Sequence, residues 1–160
     1  MVRSTKYIIL ALIVSCCSYL NGQNLVSTQA EYDSLYAINI KLTKINDVYI
    51  PKDLEDAHRR ILKLTPASSI KKFKMGEELS VCEKLHFGIG RWMIYNWNFY
   101  DGSRLSHFLK QKGLLHPDDM AQFILRTLHK HLNKKEIDEK EIVEYLADKR
   151  KKAMEKKRNR

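Results

Sequence analysis

The sequence predicts an all-α (mostly α) fold, a small single-domain bundle of about five to six helices after an N-terminal signal peptide. After residue 50, apolar residues recur at the three- and four-residue spacing of amphipathic helices. Residues that start or stop helices separate these segments, and no Asn-Gly or Asp-Gly turn joins two alternating strands. The chain has 160 residues. Without its signal peptide, that length suits one compact domain rather than two.

The first residues have the composition of an export signal. Arg3 and Lys6 supply positive charge, residues 7–20 form an apolar run, and residues 21–23 are polar and turn-prone. A membrane-spanning helix needs ~20 apolar residues, so this run is too short to be one. We therefore predict a signal peptide over residues 1–22 and an exported protein, whether periplasmic, associated with the outer membrane or extracellular.

Two processing routes fit this leader. Residues 13–16 (IVSC) resemble a bacterial lipobox, in which Cys16 would carry a lipid. Cleavage after Gly22 would instead leave Gln23 as the first residue. The apolar character that continues through Leu20 favours this second route.

The remaining chain divides into three parts by pattern and charge. Residues 23–48 are a weakly patterned N-terminal extension, residues 49–133 a helical domain, and residues 134–160 a basic charged C-terminal helix or tail. The tail carries 11 basic and 7 acidic side chains. We expect no nucleic-acid partner, because the tail interleaves no aromatic residues for base stacking and an exported protein seldom meets nucleic acid. The basic helix end could also touch an anionic membrane surface, but a solvated helix is the favoured interpretation. Membrane contact is therefore expected only through the leader or a lipid on Cys16.

Helix boundaries follow from individual residues along the domain. Residues 48–51 (VYIP) are expected to be extended, because the residue before a proline disfavours helical geometry. Asp53 caps the next helix, Pro66 opens the one after it, and Gly76 ends that one. A further helix is predicted over residues 77–86. The buried face of the first of these helices comprises Leu54, Ala57, His58, Ile61 and Leu62.

The segment that follows is ambiguous. Residues 87–90 (FGIG) hold two glycines, and a glycine inside a helix costs about 1 kcal/mol against alanine. The helix could therefore break here, or it could continue through both glycines with a bend or with another helix packed closely against it. If the helix stops, we expect it to resume over residues 91–97. Asp101 or Ser103 caps the next helix, and Gly113 ends it in the left-handed conformation.

Several short motifs of the domain match one family pattern. They are Ile50-Pro51 with Asp53-Leu54, residues 86–90, Trp92, Asn96-Trp97, Ser103-Arg104-Leu105 and residues 116–120. Through them, residues 49–133 resemble a bacterial domain family of unknown function with a His-Phe-Gly-x-Gly, Asn-x-Trp and His-Pro-Asp-Asp-Met signature. The resemblance implies a small helical domain, and it implies no activity, substrate or cofactor.

A cluster of histidines and acids is the clearest catalytic candidate. His86, His116, Asp118 and Asp119 have side chains of the types that bind zinc or transfer protons. The order His-Pro-Asp-Asp is also that of a helix start, where proline fits the first turn and acids favour the positive helix end. The favoured interpretation of these residues is therefore structural.

A hydrolase or metal-dependent enzyme built on this cluster is the alternative hypothesis. A hydrolase could use His86 or His116 with Asp118 or Asp119, plus Ser103 or Cys82 as a nucleophile, but no motif establishes these residues as a set. Cys82 stands in helical spacing with Leu79 and Leu85, which predicts a small buried side chain instead. The sequence predicts no metal and no cofactor.

The favoured hypothesis is a non-catalytic binding module for a protein or a cell-envelope ligand. Tryptophan, tyrosine and arginine dominate the contact energy of protein interfaces, and the domain concentrates them within residues 91–104. We expect one tryptophan inside the fold and one partly at the surface. The candidate ligand contacts are His86, Arg91, Trp92, Asn96, Trp97, Tyr100, Ser103, Arg104, His116, Asp118 and Asp119.

Overall fold

The computed structural model describes residues 28–159, and within them the protein is mostly helical, as predicted. The helices are α1 (Gln29–Asn39), α2 (Leu54–Leu64), α3 (Ala67–Met75), α4 (Glu78–Leu85), α5 (Arg91–Asn96), α6 (Arg104–Gln111), α7 (Pro117–Leu132) and α8 (Glu139–Arg158). A two-stranded antiparallel sheet pairs β1 (Lys44–Ile45) with β2 (Val48–Tyr49). The predicted signal peptide, its cleavage after Gly22 and the lipid site at Cys16 lie outside the described residues.

The β1–β2 hairpin is a feature that the helical pattern of the sequence does not predict. Asn46 and Asp47 form its turn, with positive φ angles of 48° and 61°. Asn and Asp tolerate the left-handed conformation better than most other residues, so this two-residue turn forms without glycine. The prediction of extended backbone at residues 48–51 is confirmed, because that segment contains β2 and no helical residue.

Helix α7 lies at the centre of the fold. Nine of its 16 residues are buried. The helices α2 to α6 and α8 all contact it. The largest fully buried side chains are Trp97, Phe99, Phe123, Ile50, Met93, Ile94, Leu105, Leu109, Met120, Ile124, Leu125 and Leu128. Burying one such side chain contributes about 1.5–3 kcal/mol, so packing around α7 is the main source of stability.

The predicted capping residues are found at the ends of their helices. Asp53 Oδ1 accepts a 2.8 Å hydrogen bond from the backbone N–H of Asp56 at the start of α2. Ser103 caps α6 and accepts from the backbone N–H of Ser106. Gly113 follows α6 with a φ angle of +93°, the left-handed conformation expected of it. Local sequence therefore determines where these helices begin and end.

The ambiguous segment is a single π-helical turn, His86–Gly90. It joins α4 to α5, so that the helix continues through both glycines instead of breaking. A π-turn widens the backbone by one residue and redirects the side chains that follow it. Such turns are frequent at functional sites, and this one determines the directions of His86 and Phe87.

Helix α8 buries apolar side chains only along its first half. Ile142 and Leu146 are its buried residues, and none of residues 147–159 is buried. The helix nevertheless continues to Arg158. Among the residues that the structure describes, no helix combines the length and the hydropathy that crossing a membrane requires.

Candidate functional site

The π-turn directs His86 toward the start of α7. His86 Nε2 lies 3.0 Å from Asp118 Oδ1. Gly90 provides the space for the imidazole, because a Cβ at that position would lie 3.1 Å from His86 Nδ1. That Nδ1 is buried and has no hydrogen-bond partner within residues 28–159. The nitrogen that Asp118 leaves free is thus enclosed by the fold rather than open to a substrate.

The other two members of the cluster have different surroundings. Asp119 is held by Arg150 of α8 through two hydrogen bonds, of 2.6 Å to Nε and 2.8 Å to Nη2. This contact raises the pKa of the Arg150 guanidinium. His116 is exposed and makes no side-chain capping bond. The structure therefore brings His86 and Asp118 together, ties Asp119 to α8, and leaves His116 at the surface.

The side chains needed for metal or covalent chemistry are not assembled here. Within the described part of the chain, no group of three or more His, Cys, Asp or Glu residues is placed to hold a metal ion. Ser103 is fully buried as the cap of α6. Cys82 is also buried, and burial together with Glu78 raises the pKa of its thiol to about 12. Such a thiol carries almost no thiolate at neutral pH.

Three more of the sequence candidates make contacts within the fold. Trp97 is fully buried and Trp92 is 37% exposed, which confirms the expectation of one tryptophan inside and one partly at the surface. Arg104 Nε donates a 2.8 Å hydrogen bond to the Ile50 carbonyl. Asn96 donates a 2.9 Å hydrogen bond to the Trp92 carbonyl. Trp97 thus packs in the core and Arg104 ties the start of α6 to Ile50, whereas the Asn96 bond lies within α5.

The outward side of the π-turn and α5 exposes aromatic side chains. Phe87 is 72% exposed, Tyr95 68% and Tyr100 53%. The rings of Tyr95 and Tyr100 lie 6.0 Å apart, and the Arg91 guanidinium lies 5.7 Å from the centre of the Phe87 ring. Together with Trp92 these side chains form one surface. We define the aromatic face as Phe87, Gly88, Arg91, Trp92, Tyr95 and Tyr100.

Sequence reasoning found only part of this face. Arg91, Trp92 and Tyr100 are among the predicted contacts, whereas Phe87 and Tyr95 are not. The missed signal is the spacing of residues 87, 91 and 95, which lie four apart and share one side of a helix. That spacing has meaning only if the helix continues through both glycines, and the sequence left this point open.

Gly88 has no packing role that explains the absence of a side chain. Apart from its two chain neighbours and the backbone of its own helix, a Cβ at this position would have no described atom within 4 Å. Glycine inside a helix costs about 1 kcal/mol against alanine. Gly88 is exposed, so the aromatic face includes a stretch of bare backbone. A second polypeptide backbone can approach most closely at such a point.

An apolar groove borders the aromatic face at Trp92. A surface cavity of about 360 Å³ is lined by Ile61, Leu64, Thr65, Ile89 and Trp92. Three of these residues, Ile61, Thr65 and Ile89, also line a narrower cavity of about 130 Å³ that reaches α7. We refer to the two cavities together as the apolar groove. A groove of this kind beside exposed aromatic rings can bury an apolar side chain of a partner.

The segments that carry the aromatic face and the apolar groove contain basic residues and few acidic ones. Residues 84–100 include Lys84 and Arg91 and no acidic residue. Residues 57–64, in the part of α2 that lines the groove, include Arg59, Arg60 and Lys63 and no acidic residue, and Arg59 is paired with Glu55 and Asp56 of the same helix. This surface therefore favours a negatively charged partner.

Comparison with known proteins assigns the domain to a family. Residues 50–132 match the model of a family described as a domain of unknown function, DUF6794. The chain belongs to this family. No curated protein and no solved structure matches the chain. The DUF6794 match includes the aromatic face and the His86–Asp118 pair, and it ends before α8 begins at Glu139.

Proposed function

We propose that this DUF6794 protein is a non-catalytic binding module that takes an acidic protein partner on its aromatic face. The observation that carries the proposal is the exposure of four aromatic side chains along the π-turn and α5, next to the bare backbone of Gly88. Aromatic residues and arginine provide most of the binding energy at protein interfaces. When a partner covers aromatic side chains that a domain exposes together, the free energy of the complex is lowered.

Three features favour a protein partner over another ligand. The backbone at Gly88 is open to the close approach of a second main chain. The apolar groove has room for an apolar side chain, and its walls offer few groups for hydrogen bonds to a sugar. The basic residues at its edges complement acidic side chains.

One observation favours the alternative, a hydrolase that uses the His86–Asp118 pair. The two side chains lie 3.0 Å apart at a surface groove that Lys149 also lines. A carboxylate that orients an imidazole is half of many acid–base sites. The enclosed Nδ1 of His86 argues against it, because that nitrogen would have to reach the substrate. Hydrolysis of a chromogenic ester or phosphodiester that is lost in His86→Gln would favour the enzyme.

We further propose that the protein acts outside the cytoplasm. The charged start, apolar run and polar end of residues 1–23 support this. The mass of the protein recovered from its cells separates the processing routes. A chain that begins at Gln23 indicates ordinary cleavage, and a lipidated chain that begins at Cys16 indicates the lipoprotein route. A chain that retains Met1 and remains in the cytoplasm would contradict export.

A photo-crosslinking amino acid at Tyr95 tests the aromatic face directly. In cells that express the protein, we expect a discrete adduct with an acidic protein. The same amino acid at Met75, which is 76% exposed on α3, is the control and should give no such adduct. Gly88→Ala should abolish the Tyr95 adduct while leaving the fold intact, because its Cβ meets only the incoming partner. The proposal is wrong if both sites give the same adducts or if Gly88→Ala leaves the Tyr95 adduct unchanged.

A further inference from the structure

The end of α8 carries a dense cluster of positive charge. Residues 149–158 contain seven basic side chains and one acidic side chain. The helix continues to Arg158, so these charges stand on regular helical backbone. None of the residues is buried, and all of residues 151–159 are exposed. The DUF6794 match does not extend to this segment.

Ion pairs neutralise only part of this charge. The pairs are Lys149–Glu83, Arg150–Asp119 and Lys152–Asp148. Within residues 28–159, four basic side chains of the cluster form no ion pair, namely Lys151, Lys156, Lys157 and Arg158. Four uncompensated cations on one helix end produce a local positive potential that attracts an anionic surface.

Exposed apolar side chains stand beside these cations. Leu115 is 68% exposed and Met154 is 56% exposed. A groove on one side of α8 is lined in part by Leu115, Met154, Lys151 and Arg158. A groove on its other side is lined in part by Phe87, Met154 and Lys157. The end of α8 thus combines free cations with apolar side chains on both of its flanks.

We propose that residues 149–158, together with Leu115 and Met154, dock on an anionic phospholipid surface. The cations attract lipid phosphate groups, and the two apolar side chains enter the boundary between headgroups and acyl chains. This contact is additional to the leader and the lipid on Cys16, through which the sequence alone predicts membrane contact. It adjoins the aromatic face at Phe87, which lines the same groove as Met154 and Lys157, and it uses none of the other residues of that face.

A lipid surface fits this segment better than a nucleic acid does. No aromatic residue follows Tyr145, so the cationic helix end has no platform for base stacking. Exposed Leu115 and Met154 gain nothing from a phosphodiester backbone, whereas a bilayer interface accepts both cations and apolar groups.

Vesicle sedimentation tests the proposal with two charge-matched variants of the full chain. The tail variant is K151Q/K156Q/K157Q/R158Q, and the control is K63Q/K71Q/K72Q/K74Q. Each removes four positive charges from exposed side chains of a protein with net charge +10. The probes are vesicles of phosphatidylcholine with and without phosphatidylglycerol, at low and high salt. Because all chains share one N-terminus, any contribution of the leader is common to them.

We expect phosphatidylglycerol to increase the partitioning of the wild-type protein and salt to reduce it. The tail variant should lose about tenfold or more of the phosphatidylglycerol-dependent partitioning, and the control should lose far less. Leu115→Ser combined with Met154→Ser should weaken binding without changing its salt dependence. Equal losses in tail variant and control, or no effect of phosphatidylglycerol, would overturn the proposal. Tail-dependent binding to a DNA duplex without vesicle binding would identify a nucleic acid partner instead.

Discussion

At the scale of single residues, the buried histidine His58 makes the stability of this fold depend on pH. His58 is buried on α2, and its Nε2 lies 3.0 Å from Thr127 Oγ1. Burial lowers the pKa of its imidazole to about 4, and the neighbouring His131, whose ring lies 5.7 Å away, adds to this shift. The folded protein therefore keeps His58 neutral over a pH range in which the unfolded chain protonates it.

Acidification is therefore expected to destabilise the fold through His58. The pKa of this group falls from 6.5 in the unfolded chain to about 4 in the folded protein. The unfolded state then binds the proton first, so the stabilisation is complete above pH 6.5 and is lost as pH falls toward 4. The loss is about 3 kcal/mol in the free energy of unfolding. Urea titrations across this pH range measure it.

Two variants test whether His58 causes this loss of stability at low pH. His58→Gln can still donate to Thr127 and should flatten the pH dependence of the free energy of unfolding between pH 6.5 and 4. His116→Gln, at an exposed position, should leave that dependence unchanged. A wild-type slope in His58→Gln would show that another group is responsible.

At the scale of elements, the two glycines of the π-turn have different roles. A Cβ at Gly90 would lie 3.1 Å from His86 Nδ1, whereas a Cβ at Gly88 would meet no described atom within 4 Å. Gly90 therefore serves the packing of His86 within the fold. At Gly88, an added side chain would disrupt no packing contact within residues 28–159.

The matched pair Gly90→Ala and Gly88→Ala tests this difference. Gly90→Ala should displace the His86 imidazole from Asp118 and lower the free energy of unfolding by ~1–3 kcal/mol. Gly88→Ala should leave it unchanged or raise it by up to ~1 kcal/mol, because alanine favours helix. Chemical denaturation of the two variants measures both effects. Equal destabilisation would mean that the π-turn itself requires glycine at both positions.

Sequence propensity and the final structure also differ at this element. By helix propensity two glycines disfavour a helix, and the sequence left open a break or a continuing helix with packing compensation; the structure retains the helix through a π-turn. Contacts of α4, the π-turn and α5 with α7 offset the cost of the glycines. At the helix caps, by contrast, the sequence prediction and the structure agree. Asp53 and Ser103 bond to backbone only three residues away, so their roles follow from the sequence alone.

At the scale of the whole molecule, Tyr36 attaches α1 to the helical domain. The Tyr36 hydroxyl lies 3.0 Å from His107 Nδ1, and Lys110 Nζ lies 4.4 Å from the centre of its ring. Gly102 admits the ring, because a Cβ there would lie 2.2 Å from Tyr36 Cδ2. The left-handed backbone of Gly102 and the absence of its side chain thus serve the same contact.

The variants Gly102→Ala and Gly113→Ala separate two contributions to a loss of stability. One is the steric clash of a new Cβ with Tyr36, and the other is the strain of alanine in a left-handed backbone conformation. Both glycines have left-handed φ angles, +91° and +93°, so alanine strains both positions alike. At Gly113 the nearest atom to the new Cβ is 3.5 Å away, an ordinary contact. Gly102→Ala should therefore lower the free energy of unfolding by ~1–3 kcal/mol more than Gly113→Ala does.

A double-mutant cycle with Tyr36→Ala completes this experiment. Removing the ring should reduce the cost of Gly102→Ala to that of Gly113→Ala. It should not change the cost of Gly113→Ala, whose neighbour is Val143. Equal costs for the two glycine variants in the wild-type background would contradict the assigned contact between α1 and the domain.

The two proposed surfaces lie in different parts of the chain. The aromatic face lies within the DUF6794 match, and the cationic end of α8 lies beyond it. A protein with both surfaces would hold an acidic protein partner at an anionic membrane. The crosslinking and vesicle experiments have separate readouts, so each proposal can fail without the other.

The sequence by itself determined the helical class of this protein, the ends of several helices and the burial of Cys82. These features depend on apolar spacing and on capping bonds, which act within about one helical turn. Only the tertiary structure decided which aromatic residues face solvent and that His86 meets Asp118 while His116 stays apart. Those outcomes depend on how α4, the π-turn and α5 pack on α7, and such contacts join residues that are distant in the chain.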